Sequence, residues 1–324
     1  MNVIAVYPAA CLSAALATAV SMPFWRRWCV KRGVIDDPGH RKIHTSPIPL
    51  AGGMAVMTGL LAPLAGGMIL ALLSSRASVT GLFEYGLSVR AVQLLGLTAG
   101  AFGMLLLGLY DDTAELSPAA KFGGQLIVAL MVAAAGMRVT LFVHNRVFSY
   151  GVTCLWILTV VNAFNFMDNM NGLCAGVGAI GAGWLGFFAA LHGQYLVAAT
   201  AFLAAGALLG FLPFNYPRAV AFLGDAGSHL TGYLLAVLAI LPHFYTRKNP
   251  HPLAVLTPLL VLAVPLGDLI WVVLLRWKIG KPFYVGDNNH LSHRLVRRGF
   301  TPARTAVLIW AMAAAAGALG FLLQ

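Results

Sequence analysis

The chain has 324 residues, of which 60% are hydrophobic and only 10% charged, with a mean hydropathy of +0.83. Soluble domains carry about 25% charged residues, so this composition excludes a soluble globular domain and points to a polytopic membrane protein. The formal net charge of +11 sits mainly in loops between apolar runs, and no nucleic-acid partner is expected.

The apolar runs are continuous, long enough for the roughly 20 residues a spanning helix needs, and lack the short alternation of a β-barrel. In chain order they fall at 3–23, 50–73, 89–109, 121–137, 152–167, 173–191, 195–213, 228–242, 252–275 and 304–322. That predicts one all-α integral membrane domain over 1–324 with ten spans. The first run lacks a basic stretch before it, and Arg26 and Arg27 follow it instead; it reads as a retained helix rather than a signal peptide. Cys11, Cys29, Cys154 and Cys174 have no metal-like spacing and read as buried small residues, with neither disulfide nor zinc site expected.

Loops after odd-numbered runs hold 15 Lys and Arg residues, the other loops six. The positive-inside rule places the first set in the cytoplasm and both termini outside. All five polar segments then fall on the cytoplasmic side: DDPGHRKIH (36–44), YDDTAEL (110–116), NFMDNMNG (165–172), FNYPRAVAFLGDAGS (214–228) and GDNNHLSHRL (286–295).

Asp111 and Asp112 follow the apolar run MLLLGLY. Adjacent carboxylates repel, and a helix C-terminus disfavours them, so the pair is either a solvated helix end or part of a site that offsets its charge. Asn162, Asn165 and Asp168 are three apart and share a helical face. Such a stripe either lines a polar cavity or ties helices together by hydrogen bonds. In FLGDAGS, Asp225 stands between glycines at the start of a run. It suits a Mg²⁺ ligand, a helix N-cap, or both, and the helix N-terminus beyond it favours anions. His290 and His293 lie beside Arg294, Arg297 and Arg298; phosphate contact and an anionic-lipid anchor both fit this cluster. Carboxylates, cations, amides and glycine-flanked turns on one face make the inventory for a Mg²⁺-dependent reaction at phosphate.

These segments resemble those of the polyprenyl-phosphate N-acetylhexosamine-1-phosphate transferases (glycosyltransferase family 4), and most closely the undecaprenyl-phosphate GlcNAc-1-phosphate transferases. DDPGHRKIHTSPIPLAGG, GLYDDTAELSPAAKFGGQ, NAFNFMDNMNGL, FNYPRAVAFLGDAGS and HLSHRL follow the family's motif order over roughly residues 36 to 300. The resemblance implies transfer of HexNAc-1-phosphate, most simply GlcNAc-1-phosphate, from a UDP-sugar to undecaprenyl phosphate. UMP would be released, and the lipid product would prime an envelope glycan such as O-antigen, teichoic acid or capsule. It implies a bacterial inner-membrane location, Mg²⁺ (with Mn²⁺ as a substitute) and a possible homodimer.

By resemblance, Asp225 is the metal ligand, and Asp111, Asp112 and Asp168 are catalytic. Asn165 completes the polar wall, Phe222 stacks on uracil and Asn215 helps bind the nucleoside. His290, His293 and Arg294 contact phosphate or sugar, and Lys42 and His44 contribute from the first loop. Two positions depart from the pattern. Where the family often reads D-G-x-D-G, this chain has Asp168-Asn169-Met170-Asn171-Gly172, so Asn171 replaces a carboxylate expected to read the base; Ser292 replaces a histidine.

The in-class rival is lipid I synthesis by a phospho-MurNAc-pentapeptide transferase. The rival from another class is a proton-coupled transporter, for which Asp268, about 12 Å into its helix, would serve as a relay. No series of acids crosses the membrane, and no Gly/Pro-broken helices are expected in matching halves.

Overall fold

The structure, a computed structural model, describes residues 3–37, 46–73, 77–141, 143, 145–242, 244, 252–282 and 284–323. Those residues form twelve α-helices, two short 3-10 helices and one two-stranded ladder with their connections. The α-helices are α1 (Val3–Arg32), α2 (Gly52–Leu73), α3 (Ala77–Ala114), α4 (Pro118–Ala134), α5 (Arg146–Met167) and α6 (Leu173–Leu191). Then come α7 (Tyr195–Asn215), α8 (Gly224–Ile240), α9 (Thr257–Val261), α10 (Ala263–Lys278), α11 (Leu291–Arg297) and α12 (Pro302–Leu319). β1 (Ile35–Asp36) pairs antiparallel with β2 (Ile48–Pro49), closing the first polar loop.

Every predicted apolar run coincides with a helix or, for 252–275, a broken pair. Seven helices are long and apolar enough to cross a membrane, and the bent α9–α10 pair would make an eighth. α4 and α8 have 17 residues each, short of the usual spanning length. The predicted separation at His192-Gly193-Gln194 is present, with Gly193 at φ +68.

Local chemistry sets several of the starts. Ser117 accepts a hydrogen bond from the Ala120 amide and is followed by Pro118, whose missing N–H costs nothing in a first turn. Asn145 and Thr301 cap α5 and α12 in the same way. The α9–α10 break corrects the expectation of unbroken helices: the two halves meet at 72°. Pro265 is the cause, since it cannot donate to the Val261 carbonyl one turn earlier.

α8 lies at the centre. Its residues from Ala226 to Ala239 are all buried, the polar Ser228, His229 and Thr231 among them. It packs on α2, α3, α5 and α6. Small residues permit the closest crossings: a Cβ on Gly206 or Gly210 of α7 would collide with the Cys11 or Ala15 backbone of α1.

Candidate active site

The start of α8 is the hub of the predicted site. α8 begins at Gly224, four residues before the predicted boundary, and this places Asp225 inside the first turn. Gly224 has φ +72, and a Cβ there would sit 2.7 Å from Asp112 Oδ2; the position requires glycine for both reasons. Beneath it the 49–53 segment runs alongside 222–223. The Phe222 amide donates to Pro49, Gly52 to Phe222 and Gly53 to Leu223 at 2.9–3.1 Å.

The two adjacent aspartates of α3 have separate tasks. Asp112 accepts from the Asp225 and Ala226 amides at 2.7 and 3.1 Å. A carboxylate that is unfavourable at the C-terminus of α3 is thus stabilised by the N-terminus of α8. This corrects one expectation: the helix N-terminus is met by a carboxyl group of the protein, that of Asp112 itself. Asp111 instead pairs with Lys121 at 2.7 Å and accepts from the Leu116 amide at 2.7 Å.

Lys121, in the first turn of α4, also pairs with Asp225 at 2.7 Å and lies 3.4 Å from Asn165 Oδ1. Asn165 donates to Asp225 Oδ1 at 2.6 Å and to Ser228 at 3.0 Å. Asp225 is therefore not a helix N-cap; its side chain is engaged by Lys121 and Asn165. Lys121 is the residue that sequence reasoning missed. Its signals were a lone cation four positions into an apolar helix and its place in the segment GLYDDTAELSPAAKFGGQ, to which no role was attached.

Asp168 ends α5, and its carboxylate has no hydrogen-bond or ion-pair partner among the described residues. Burial, reinforced by Asp225 and then Asp112, pushes it up to about 8. Asn162, at the other end of the predicted stripe, donates to Gln125 at 2.7 Å, and Gln125 meets His229 at 3.2 Å. The stripe thus divides: Asn162 ties helices together, while Asn165 and Asp168 face the acidic cluster.

The histidine segment reaches this cluster through the end of α5. The rings of Phe166 and His290 lie edge to face at 5.8 Å, and Ser292 donates to Asn169 at 2.6 Å. His290 and His293 have centroids 5.9 Å apart. Burial, then His290 and Arg297, hold His293 below the usual imidazole range. Arg294 stacks over Trp271 at 4.6 Å, a cation–π contact that holds its guanidinium against α10.

Three further predicted residues have other placements. Asn215 is buried, with its oxygen taken by the Gly172 amide and its amide by the Ala221 carbonyl. It braces two loops where the resemblance implied a nucleoside contact. Asn171 donates to the Pro217 carbonyl at 3.2 Å. Phe222 lies in the 49–53 pairing, half-buried. Lys42 and His44 lie outside the described residues.

Among the described residues no group of three or more His, Cys, Asp or Glu side chains is arranged to hold a metal by itself. The donors are nevertheless hard carboxylate oxygens, four against one ammonium. That suits Mg²⁺, which takes one or two carboxylates and completes its shell with water and substrate phosphate.

Helices packed around a buried centre, with carboxylates and cations gathered at the head of α8, define a polytopic membrane protein with a site suited to phosphate chemistry. The profile of glycosyl transferase family 4 matches residues 94–243. A decaprenyl-phosphate N-acetylglucosaminephosphotransferase of Mycobacterium tuberculosis is 32% identical over 325 residues, covering 92% of this chain and 78% of the relative. Undecaprenyl-phosphate alpha-N-acetylglucosaminyl 1-phosphate transferases of Yersinia pestis and Escherichia coli are 28% and 27% identical, covering 91% and 97% of this chain. The chain belongs to glycosyl transferase family 4.

Proposed function

We propose that this protein transfers GlcNAc-1-phosphate from UDP-GlcNAc to undecaprenyl phosphate at the cytoplasmic face of a bacterial inner membrane. The acceptor phosphate oxygen attacks the β-phosphorus of the nucleotide sugar, the bond from that phosphorus to the bridging oxygen breaks, and UMP leaves. The observation that carries this reading is the gathering of Asp111, Asp112, Asp168, Asp225 and Lys121 at one helix start, in a chain whose relatives act on polyprenyl phosphates.

The residues divide the work. Asp112 holds the α8 N-terminus in place. Lys121 and Asn165 orient Asp225, and Lys121 offsets charge between Asp111 and Asp225. Asp168, the carboxylate of the four left unpartnered among the described residues, is the one free to meet the acceptor phosphate. Asp225 would hold Mg²⁺ or Mn²⁺ together with substrate phosphate, and the cation would supply neutralisation of the charge that builds up on the phosphates. His290, His293 and Arg294 form the wall for the donor phosphates or sugar. Ten spans, both termini outside and a homodimer complete the proposal, with the 15-to-six distribution of Lys and Arg supporting the orientation.

The test is transfer in detergent. Purified protein, undecaprenyl phosphate and Mg²⁺ are incubated with labelled UDP-GlcNAc, UDP-GalNAc or UDP-MurNAc-pentapeptide, with Asp225→Asn as control. Lipid-linked label from UDP-GlcNAc, lost in the variant, is the expected result. Label from UDP-MurNAc-pentapeptide alone moves the protein to lipid I synthesis. No transfer from any donor, while a reference transferase works in the same mixture, overturns the reading.

A further inference from the structure

α10 carries two buried charged side chains that the proposed chemistry does not use: Asp268 is 8% exposed and Arg276 1%. They are eight residues apart, a little over two turns, and so share a helical face. Both reach the segment that precedes α11. Asp268 Oδ2 meets His290 Nδ1 at 2.8 Å, and its Oδ1 accepts from the Leu291 amide at 2.6 Å. Arg276 donates to Asp287 at 2.7 Å, and Asp287 accepts in turn from the Asn289 amide at 2.7 Å. Arg276 also lies over the Phe166 ring at 4.9 Å. Buried charges are costly unless paired and hydrogen-bonded. These two are satisfied only while residues 287–291 keep this course across α10.

We infer that Asp268 is a positioning residue for His290, and that it sets which ring nitrogen His290 offers to the ligand. An ionised carboxylate only accepts hydrogen bonds, so His290 must carry its proton on Nδ1 toward Asp268. Nε2, which has no partner among the described residues, is left as the ring nitrogen that can meet a ligand. The same carboxylate receives the first free amide of α11 and fixes the start of the helix bearing His293 and Arg294. Asp268 therefore acts through His290, not on the reacting atoms. This deepens the transferase reading and rests on it. The relay role weighed for Asp268 in a transporter gives way to a closed pair with His290, itself 5% exposed.

The two contacts of Asp268 can be separated. In Asp268→Asn an amide oxygen still accepts from Leu291, but an NH₂ group faces His290 and the ring must move its proton to Nε2. ¹⁵N-histidine NMR of the wild type, with the His290 signal assigned by its loss in His290→Gln, reads the tautomer directly. The expected result is protonation at Nδ1 in the wild type and at Nε2 in Asp268→Asn. Transfer efficiency should fall about 10–100-fold in Asp268→Asn, by analogy with the loss of a partner that orients a metal-ligating histidine. The double variant with His290→Gln should be no slower than His290→Gln alone. A wild-type His290 protonated on Nε2 overturns the inference, and so do losses that multiply in the double variant. Because the tautomer is read without turnover, failure of the transferase reading and failure of this inference are distinguishable.

Discussion

Ser292 and Asn169, 123 positions apart, are joined by a 2.6 Å hydrogen bond from the serine hydroxyl to the asparagine oxygen. Ser292 is one of the two departures from the pattern the sequence resembles, and Asn169 lies two residues before the other, Asn171. The bond pins the histidine helix to the loop that follows Asp168. Asn169 is held in turn by its own bond to the Phe166 carbonyl at 2.6 Å.

This pair should behave as a unit. Ser292 is 1% exposed, so Asn169→Gly leaves its hydroxyl buried without that acceptor and Ser292→Ala removes the donor. Each single change is expected to cost about 1 kcal/mol, and the double variant clearly less than the sum. Thermal melting in detergent checks this, and strict additivity would break the proposed unit.

Replacing Lys121 by Gln sets Asp111 and Asp225 against each other with no cation between them. The transfer rate at saturating substrates should drop about 100-fold or more, since charge placed in advance dominates this kind of site. Added Mg²⁺ should raise the melting temperature of the variant more than that of the wild type. Equal shifts in the two proteins would show that Lys121 does not share the carboxylates with a metal.

Asp112→Asn keeps one acceptor but removes the charge at the head of α8. The loss is about 0.3–2 kcal/mol, concentrated at the first turn. Hydrogen exchange should quicken at the Asp225 and Ala226 amides while the buried middle of α8 stays protected. Unchanged exchange at those two amides contradicts the assignment.

Asp168 sits near 8 in the folded chain, against roughly 3.9 for a free side chain. Between those values the folded state binds the Asp168 proton more tightly than the unfolded one, so the contribution of this group to stability is full at low pH and declines as pH rises from about 4 to 8. Asp168→Asn removes that decline. It should melt higher than the wild type at pH 8, by the equivalent of 1–3 kcal/mol, roughly, after allowing for partial exposure, and show a flatter profile from pH 5 to 8. Transfer should be lost in the same variant, so that stability and activity move in opposite directions. A wild-type profile already flat over that window would count against the burial argument.

Much of this molecule was legible in its sequence, because apolar runs and polar interruptions report directly on which residues can face lipid. The NAFNFMDNMNG stretch proved to be the spine of the site: Asn165 reaches Asp225, Phe166 meets His290 and Asn169 holds Ser292. What could not be read depended on partners more than a hundred positions away. Asp111 and Asp112 look equivalent until Lys121 and the α8 amides separate them. Asn215 looked like a ligand contact, but its neighbours in space use both ends of its amide. The break before α10 was missed because a proline in an apolar run does not declare whether the helix bends or stops.

The ammonium of Lys121, 2.7 Å from two carboxylates, gives this site a resident counterion tethered to the polypeptide. On the proposed reading, assembly of the chain in the bilayer would not wait for capture of a dissociable cation. A chelator should silence the protein without unmaking it, and returning Mg²⁺ should restore the rate within the time of mixing, with no refolding in between.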